Sequence, residues 1–272
     1  MKKNLSDLVI MSDVDGTLLD VNHSDLPSRG NIEALERFVS KGGRFAIATG
    51  RSLRYIHHLA DALPVNFPCI VFNGSGIYDF QKKEFLYKQF FPREIERYVR
   101  EIHAEFPDCG VVFSDENAYW DIGGVITEKY ASLYKNALLK PIQFDELKGE
   151  FLKVFFILPP ERGKLVYEYT QKAAFGGVRF VFSDKCMLEM LPEGSSKGAG
   201  IDRLIEITGI KRENFVAIGD YYNDWEMIKC AGIGVTLIDA PQDIKDIAQM
   251  IVRPCAQDSL ADLVERLEEQ YA

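Results

Sequence analysis

The sequence predicts an α/β fold, a doubly wound parallel sheet with an α+β domain inserted into it. Three observations carry this. Short apolar runs that read as strands buried on both faces alternate with amphipathic helical stretches through the first 80 residues. The alternation changes rhythm between about 81 and 186, where strand-like stretches of a separate sheet appear, and it returns afterwards. The apolar runs of the first kind end in polar turns. The expected organisation is therefore a core of residues 1–80 and 187–272 with residues 81–186 as the insert.

Val9, Ile10 and Met11 open the series as a strand that breaks into Asp13, Asp15, Gly16 and Thr17. A loop rich in Ser, Asp, Pro and Gly leads to a helix with Ile32, Leu35, Phe38 and Val39 on one face, ended by Gly42 and Gly43. Arg44 to Ala48 is a second strand, stopping at Thr49-Gly50-Arg51, and the next helix carries Leu53, Ile56, Leu59, Ala60 and Leu63 up to Pro64. Cys69 to Phe72 is a third strand, ending at Asn73-Gly74. Strand, helix, strand, helix, strand predicts parallel pairing with right-handed crossovers.

Within the insert, Pro92 to Phe106 and Tyr167 to Ala174 have helical spacing, while Val111 to Phe113, Lys153 to Leu158 and Arg179 to Phe182 read as strands. The first sheet is expected to resume with Leu188 to Leu191, followed by a turn to Ser196 and a helix from Gly198 to Thr208. Phe215 to Ile218 is a strand ending at Gly219-Asp220, ahead of Tyr221 to Asp224 and a short helix. Ile233 to Ile238 and Met250 to Val252 read as strands, and Asp258 to Gln270 as a closing amphipathic helix.

A net charge of −9 with no basic run to track a phosphate backbone argues against nucleic acid as a partner. The start, MKKNLSDLVIM, lacks the long apolar stretch of a signal peptide or a membrane span, so no membrane partner is expected. Five scattered cysteines without a Cys-x-x-Cys pair fit reduced thiols in the cytoplasm. His57 and His58 are adjacent and read as surface residues, not as zinc ligands.

The polar turns carry the chemistry. In a parallel sheet, turns after the strands share one edge, and ligands bind at the carboxyl ends of such strands. Asp13 to Thr17, Thr49 to Arg51, Ser196-Lys197 and Gly219 to Asp224 would then gather the acids Asp13, Asp15, Asp220 and Asp224 with Thr49, Asn223 and Lys197. Crowded carboxylates repel unless a cation lies among them, and hard oxygen ligands suit magnesium. A lysine at a helix amino terminus supplies the complementary anion site. Together these describe phosphoryl transfer. A Walker loop fails because Lys197 is followed by Gly198, and a dinucleotide fingerprint fails because Asp79 stands where a third glycine is needed. Plainer readings stand beside these: Thr17 as a turn or helix-start residue, Asp224 as a helix cap, and Arg51 either on the substrate or paired with the acids.

The set DVDGT at Asp13, ATGR at Ala48, a lysine before a helix at Lys197 and GDxxND at Gly219 resembles the four motifs of the haloacid dehalogenase superfamily of phosphotransferases. The position and size of the insert resemble the type IIB cap of Cof-like phosphatases. The resemblance covers nearly the whole chain and implies a magnesium-dependent phosphatase acting on small phosphorylated metabolites such as sugar phosphates. It implies Asp13 as nucleophile and Asp15 as general acid and base. Magnesium would be held by the Asp13 and Asp220 carboxylates and the Asp15 carbonyl, with Asp224 in support. Phosphoryl oxygens would be bound by Thr49, the Gly50 amide, Lys197 and Asn223. A phosphomutase of the same superfamily is the alternative, and a non-catalytic metabolite-binding protein a second. The sequence departs from the Cof-like pattern at Asp239, where asparagine is usual. Tyr119-Trp120-Asp121 with Gly123-Gly124 reads as a strand with packed aromatics, or else as a loop that stacks on a sugar.

Overall fold

The computed structural model describes residues 4–20, 25–123, 139–159 and 161–271. Their strands are β1 (Val9–Ser12), β2 (Arg44–Ile47), β3 (Cys69–Val71), β4 (Gly76–Asp79), β5 (Glu84–Lys88), β6 (Gly110–Ser114), β7 (Tyr119–Gly123), β8 (Leu139–Pro141), β9 (Lys153–Ile157), β10 (Val178–Asp184), β11 (Met187–Pro192), β12 (Phe215–Gly219), β13 (Ile233–Leu237) and β14 (Met250–Val252). Helices are α1 (Arg29–Ser40), α2 (His57–Ala62), α3 (Ile95–Glu105), α4 (Gly163–Ala173), α5 (Lys197–Thr208), α6 (Trp225–Cys230), α7 (Gln242–Ile247) and α8 (Ser259–Tyr271). The chain divides into two compact units, one of Met1–Gly50, Ile56–Tyr87 and Ser196–Ala272, the other of Arg51–Tyr55 and Lys88–Ser195.

The first unit is built on a parallel sheet of order β14-β13-β12-β1-β2. Every residue of β1 and β12 is buried, which is why these strands read as unbroken apolar runs. Ser12 lies level with Ile47 on one side and Ile218 on the other. The turns after β1, β2 and β12 therefore leave the sheet at the same edge. The third strand departs from expectation. β3 meets the parallel sheet through one bridge, Ala48 to Ile70, and pairs antiparallel with β4 in a separate sheet of order β3-β4-β5. The cause is local: Phe72, Asn73 and Gly74 all take positive φ, which turns the chain back on itself at once.

The second unit holds a sheet of order β10-β11-β9-β6-β7-β8, antiparallel except between β7 and β8. Val111, Phe113, Val154, Phe156, Leu188 and Met190 cluster with Val99 and Ile102 of α3 and Val166 of α4. Val112, Tyr119, Phe155 and Ile157, the alternate residues, form another cluster, against which Tyr55 packs. This corrects two expectations. Leu188 to Leu191 lies in β11, between β10 and β9, and not in the parallel sheet. The helix expected from Leu53 to Leu63 is broken into a 3-10 turn at Leu53–Tyr55 and α2. The turn is held within the second unit, where Tyr55 stacks on Tyr119 at 4.6 Å and the Ser52 amide donates to the Tyr119 hydroxyl. Trp120 follows the packed-strand reading: it sits in β7 and its Nε1 donates to Asp115 at 2.6 Å. Gly124 lies outside the described residues.

All five cysteines are free thiols. Burial pushes Cys69 up to about 12 despite the Ile47 amide donating to its sulfur, and it pushes Cys109 to about 12 as well. Both are protonated and unreactive at neutral pH. His57 and His58 are exposed. No helix among the described residues is long and apolar enough to cross a membrane.

Candidate active site

At the carboxyl edge of the parallel sheet, Asp13 follows β1 directly, its amide donating to the Ile218 carbonyl of β12. The residue is 5% exposed, and its carboxylate accepts from Lys197 Nζ at 2.5 Å. Lys197 opens α5 behind the N-cap Ser196, is fully buried, and donates also to Asp224 at 2.6 Å. A lysine at the positive end of a helix is unfavourable by itself, and here two carboxylates hold it. They raise its pKa far above the ordinary value, although burial works against the charge. The turn Ser196-Lys197 thus reaches the site, but it arrives after β11 of the other sheet, not after a strand of the parallel one.

Asp220 follows β12 and accepts from the Thr17 hydroxyl at 2.9 Å. Asp224 is buried, and its second oxygen accepts from the amides of Asp220 at 3.0 Å and Tyr221 at 3.2 Å. Thr49 is buried after β2, its amide donating to Ile70 and its carbonyl accepting from Asn73. Asn223 donates to Asn73 Oδ1 at 3.3 Å. Asp15 is exposed in the turn, with Gly16 N–H donating to the Leu19 carbonyl beside it.

Burial raises Asp13 well above the carboxylate range; Asp224 adds to this, Lys197 opposes it, and Asp220 and Asp15 contribute further repulsion. Burial likewise lifts Asp220 to about 7, with Asp224 reinforcing the shift and the Thr17 hydroxyl countering it. Asp13, Asp220 and Asp224 each offer a carboxylate oxygen, and these atoms lie within 4.8 Å of one another. An all-oxygen set carrying more negative charge than one lysine neutralises fits a hard divalent cation.

A profile of the haloacid dehalogenase-like hydrolases matches residues 10–264. The chain belongs to the haloacid dehalogenase-like hydrolase family. Pyridoxal phosphate phosphatase YbhA of Escherichia coli is 29% identical to this hydrolase, over 94% of this chain and 97% of that one. The 5-amino-6-(5-phospho-D-ribitylamino)uracil phosphatase YwtE of Bacillus subtilis is 26% identical, over 97% and 99% respectively. In fold the hydrolase is similar to the subclass IIB sugar phosphatase BT4131, with a TM-score of 0.82 at 22% identity, over 96% of this chain and 99% of that one. It is an enzyme of the phosphatase type to which these relatives belong.

Two features of the hydrolase's site were not legible as functional. Thr17, read as a turn residue, fixes Asp220 through its hydroxyl. Asn73, read only as a strand end, reaches Asn223 across 150 residues of sequence. In the stretch that departs from the Cof-like pattern, Thr236 donates to the Gly219 carbonyl at 2.8 Å, while Asp239 is exposed. Arg51 donates to the Tyr55 carbonyl at 3.3 Å, within the 51–55 segment.

Proposed function

We propose that the enzyme is a magnesium-dependent phosphatase that hydrolyses small phosphate monoesters, sugar phosphates or related metabolites, through an aspartyl phosphate on Asp13. The observation that carries this reading is the buried Lys197 joining Asp13 to Asp224 beside Asp220. Such an arrangement sets a carboxylate nucleophile beside a fixed positive charge that can meet a phosphoryl group. The names of the relatives, phosphatases of pyridoxal phosphate and of a phosphoribityl compound, support a small phosphorylated substrate. Free thiols support a cytoplasmic setting.

In this reading a carboxylate oxygen of Asp13 attacks phosphorus as the ester P–O bond breaks, and Asp15 gives its proton to the departing alkoxide. Asp15 is exposed, as a group that meets a leaving alcohol and then water must be. It next takes a proton from water, which attacks the aspartyl phosphate, and inorganic phosphate and free Asp13 result. Lys197, Thr49, the Gly50 amide and Asn223 bind the equatorial oxygens, whose charge grows in the transition state. Asp13 and Asp220, with the Asp15 carbonyl, would hold magnesium, and Asp224, its oxygens already accepting from Lys197 and two amides, would support them. Bound magnesium supplies neutralisation of the phosphoryl oxygens and of the crowded carboxylates.

The test is phosphate release from a panel of monoesters, with magnesium and with chelator, for the wild type and Asp13→Asn. Magnesium-dependent release that disappears in the variant is the expected result. Product isomerisation with a bisphosphate activator, in place of release, would move the enzyme to the mutases.

A further inference from the structure

The turn that sends β3 back into β4 is built in an unusual way. Phe72 and Asn73 each have φ of 51° and Gly74 has φ of 93°, three successive residues in the left-handed region. A phenylalanine there is sterically costly, and such conformations persist only where the surroundings impose them. Asparagine is among the few side chains that tolerate the conformation. All three residues are buried.

What surrounds this turn is the phosphate-binding side of the site. Asn73 N–H donates to the Thr49 carbonyl at 2.9 Å. A Cβ on Gly50 would come within 2.8 Å of Asn73 Nδ2, so the Asn73 amide lies flat against the Gly50 backbone. Asn73 Oδ1 accepts from Asn223 Nδ2 at 3.3 Å, in a pair that is buried. A Cβ on Gly74 would run into the Ser196 carbonyl, immediately before Lys197. One three-residue turn therefore touches the backbone or side chain beside each of Thr49, Gly50, Lys197 and Asn223.

We infer that Asn73 is a positioning residue for phosphate binding, an inference that rests on the function proposed above. Its side chain holds Asn223 by one of the two Nδ2 hydrogens, leaving the other to aim at a phosphoryl oxygen, and it packs against the Gly50 Cα, so that it bears on the backbone beside the Gly50 amide. The strained backbone is what brings one side chain to both. Gly74 lets the turn press against the Ser196 backbone, so the same turn also bears on the residue that precedes Lys197.

Asn73→Gly is the decisive variant, because glycine accepts the left-handed backbone and only the side chain is lost. Orthophosphate binding in the presence of magnesium is measured by calorimetry, alongside KM and kcat for a monoester and the Tm. With Tm close to wild type, phosphate affinity and kcat/KM are expected to fall at least tenfold, and Asn73→Gly/Asn223→Ala should lose clearly less than the product of the two single losses. Asn73→Asp keeps the size, the left-handed tolerance and an acceptor for Asn223, and should weaken phosphate binding by charge. Wild-type affinity in either variant, or losses that multiply fully in the double variant, would overturn the inference. Should the wild type bind orthophosphate yet release none from any ester, the proposed function fails while the binding comparison still decides the role of Asn73. Absence of orthophosphate binding by the wild type overturns both.

Discussion

Each unit of this enzyme buries a lysine, and the two are neutralised differently. Lys153, on β9, pairs with Glu189 of β11 at 3.2 Å and lies over the Phe155 ring at 5.0 Å. There the lysine is opposed by a carboxylate on the neighbouring strand. Lys197 meets Asp13 and Asp224 directly, with Asp220 and Asp15 adding their fields. One lysine lies among Asp13, Asp220 and Asp224, an excess of acids that a divalent cation or a protonated carboxylate relieves. A lysine opposed by a carboxylate across two strands serves the packing of its sheet, whereas an excess of acids around a lysine marks a place where something charged has to arrive.

The largest effect that sharpens this contrast is catalytic. Lys197→Met is expected to lower kcat/KM by about three orders of magnitude or more, measured by phosphate release, since a fixed charge on the transition state is lost. Near-wild-type activity would remove Lys197 from the phosphate site. In the second unit the corresponding loss is one of stability. Lys153→Met leaves Glu189 buried without its lysine and should cost about 3–5 kcal/mol in urea unfolding, whereas Lys153→Met/Glu189→Leu should recover most of that. A double variant as unstable as the single would show that the pair is not self-contained.

The metal prediction follows from the raised carboxylates. Asp220, lifted to about 7, contributes stability that is complete below its unfolded value and is lost as pH rises through about 7. Metal-free protein should therefore weaken between pH 6 and 8. Magnesium binds the deprotonated groups, so its thermal shift should be larger at pH 8 than at pH 6, amounting to about 2.7 kcal/mol at a hundredfold excess over Kd. Asp220→Asn should flatten this dependence; an unchanged pH profile in that variant would argue against the assignment. The smallest effect lies between α1 and α8. Burial works against Glu268, but hydrogen bonds from Lys41 and Arg37 outweigh it and hold its pKa below the ordinary value. Its contribution is present at neutral pH and lost as pH falls through the lowered pKa. Glu268→Gln should thus cost about 0.5–1 kcal/mol at pH 7 and progressively less as the pH is lowered through the acid range, read from chemical denaturation across a pH series.

The turn residues of the site were readable because each is encoded within a few positions: a strand of apolar residues, then Asp13 and Asp15, or Gly219 to Asp224, with the register of β1 to β12 bringing them level. What could not be read is what depends on distant partners. Leu188 to Leu191 carries three apolar residues around Glu189, and nothing in the run itself says that β9 and β10 will flank it. Leu53 to Leu63 has continuous helical spacing, but Tyr119 draws Ser52 and Tyr55 into another unit. Asn73 looked like punctuation because its conformation and its bond to Asn223 are properties of the folded chain.

The loop that bears Asp13 is also tied to the far end of the sequence. Ser259, at the start of α8, donates its hydroxyl to the Thr17 carbonyl at 2.6 Å, 242 positions away, and Asn31 of α1 accepts from the amides of Leu260 and Ala261. In chain order the loop that bears the aspartate precedes its anchor by 242 positions. The four motifs by themselves lack the hydroxyl that fastens the loop, so the placement of Asp13 depends on the docking of α8 as well as on the strand that precedes it.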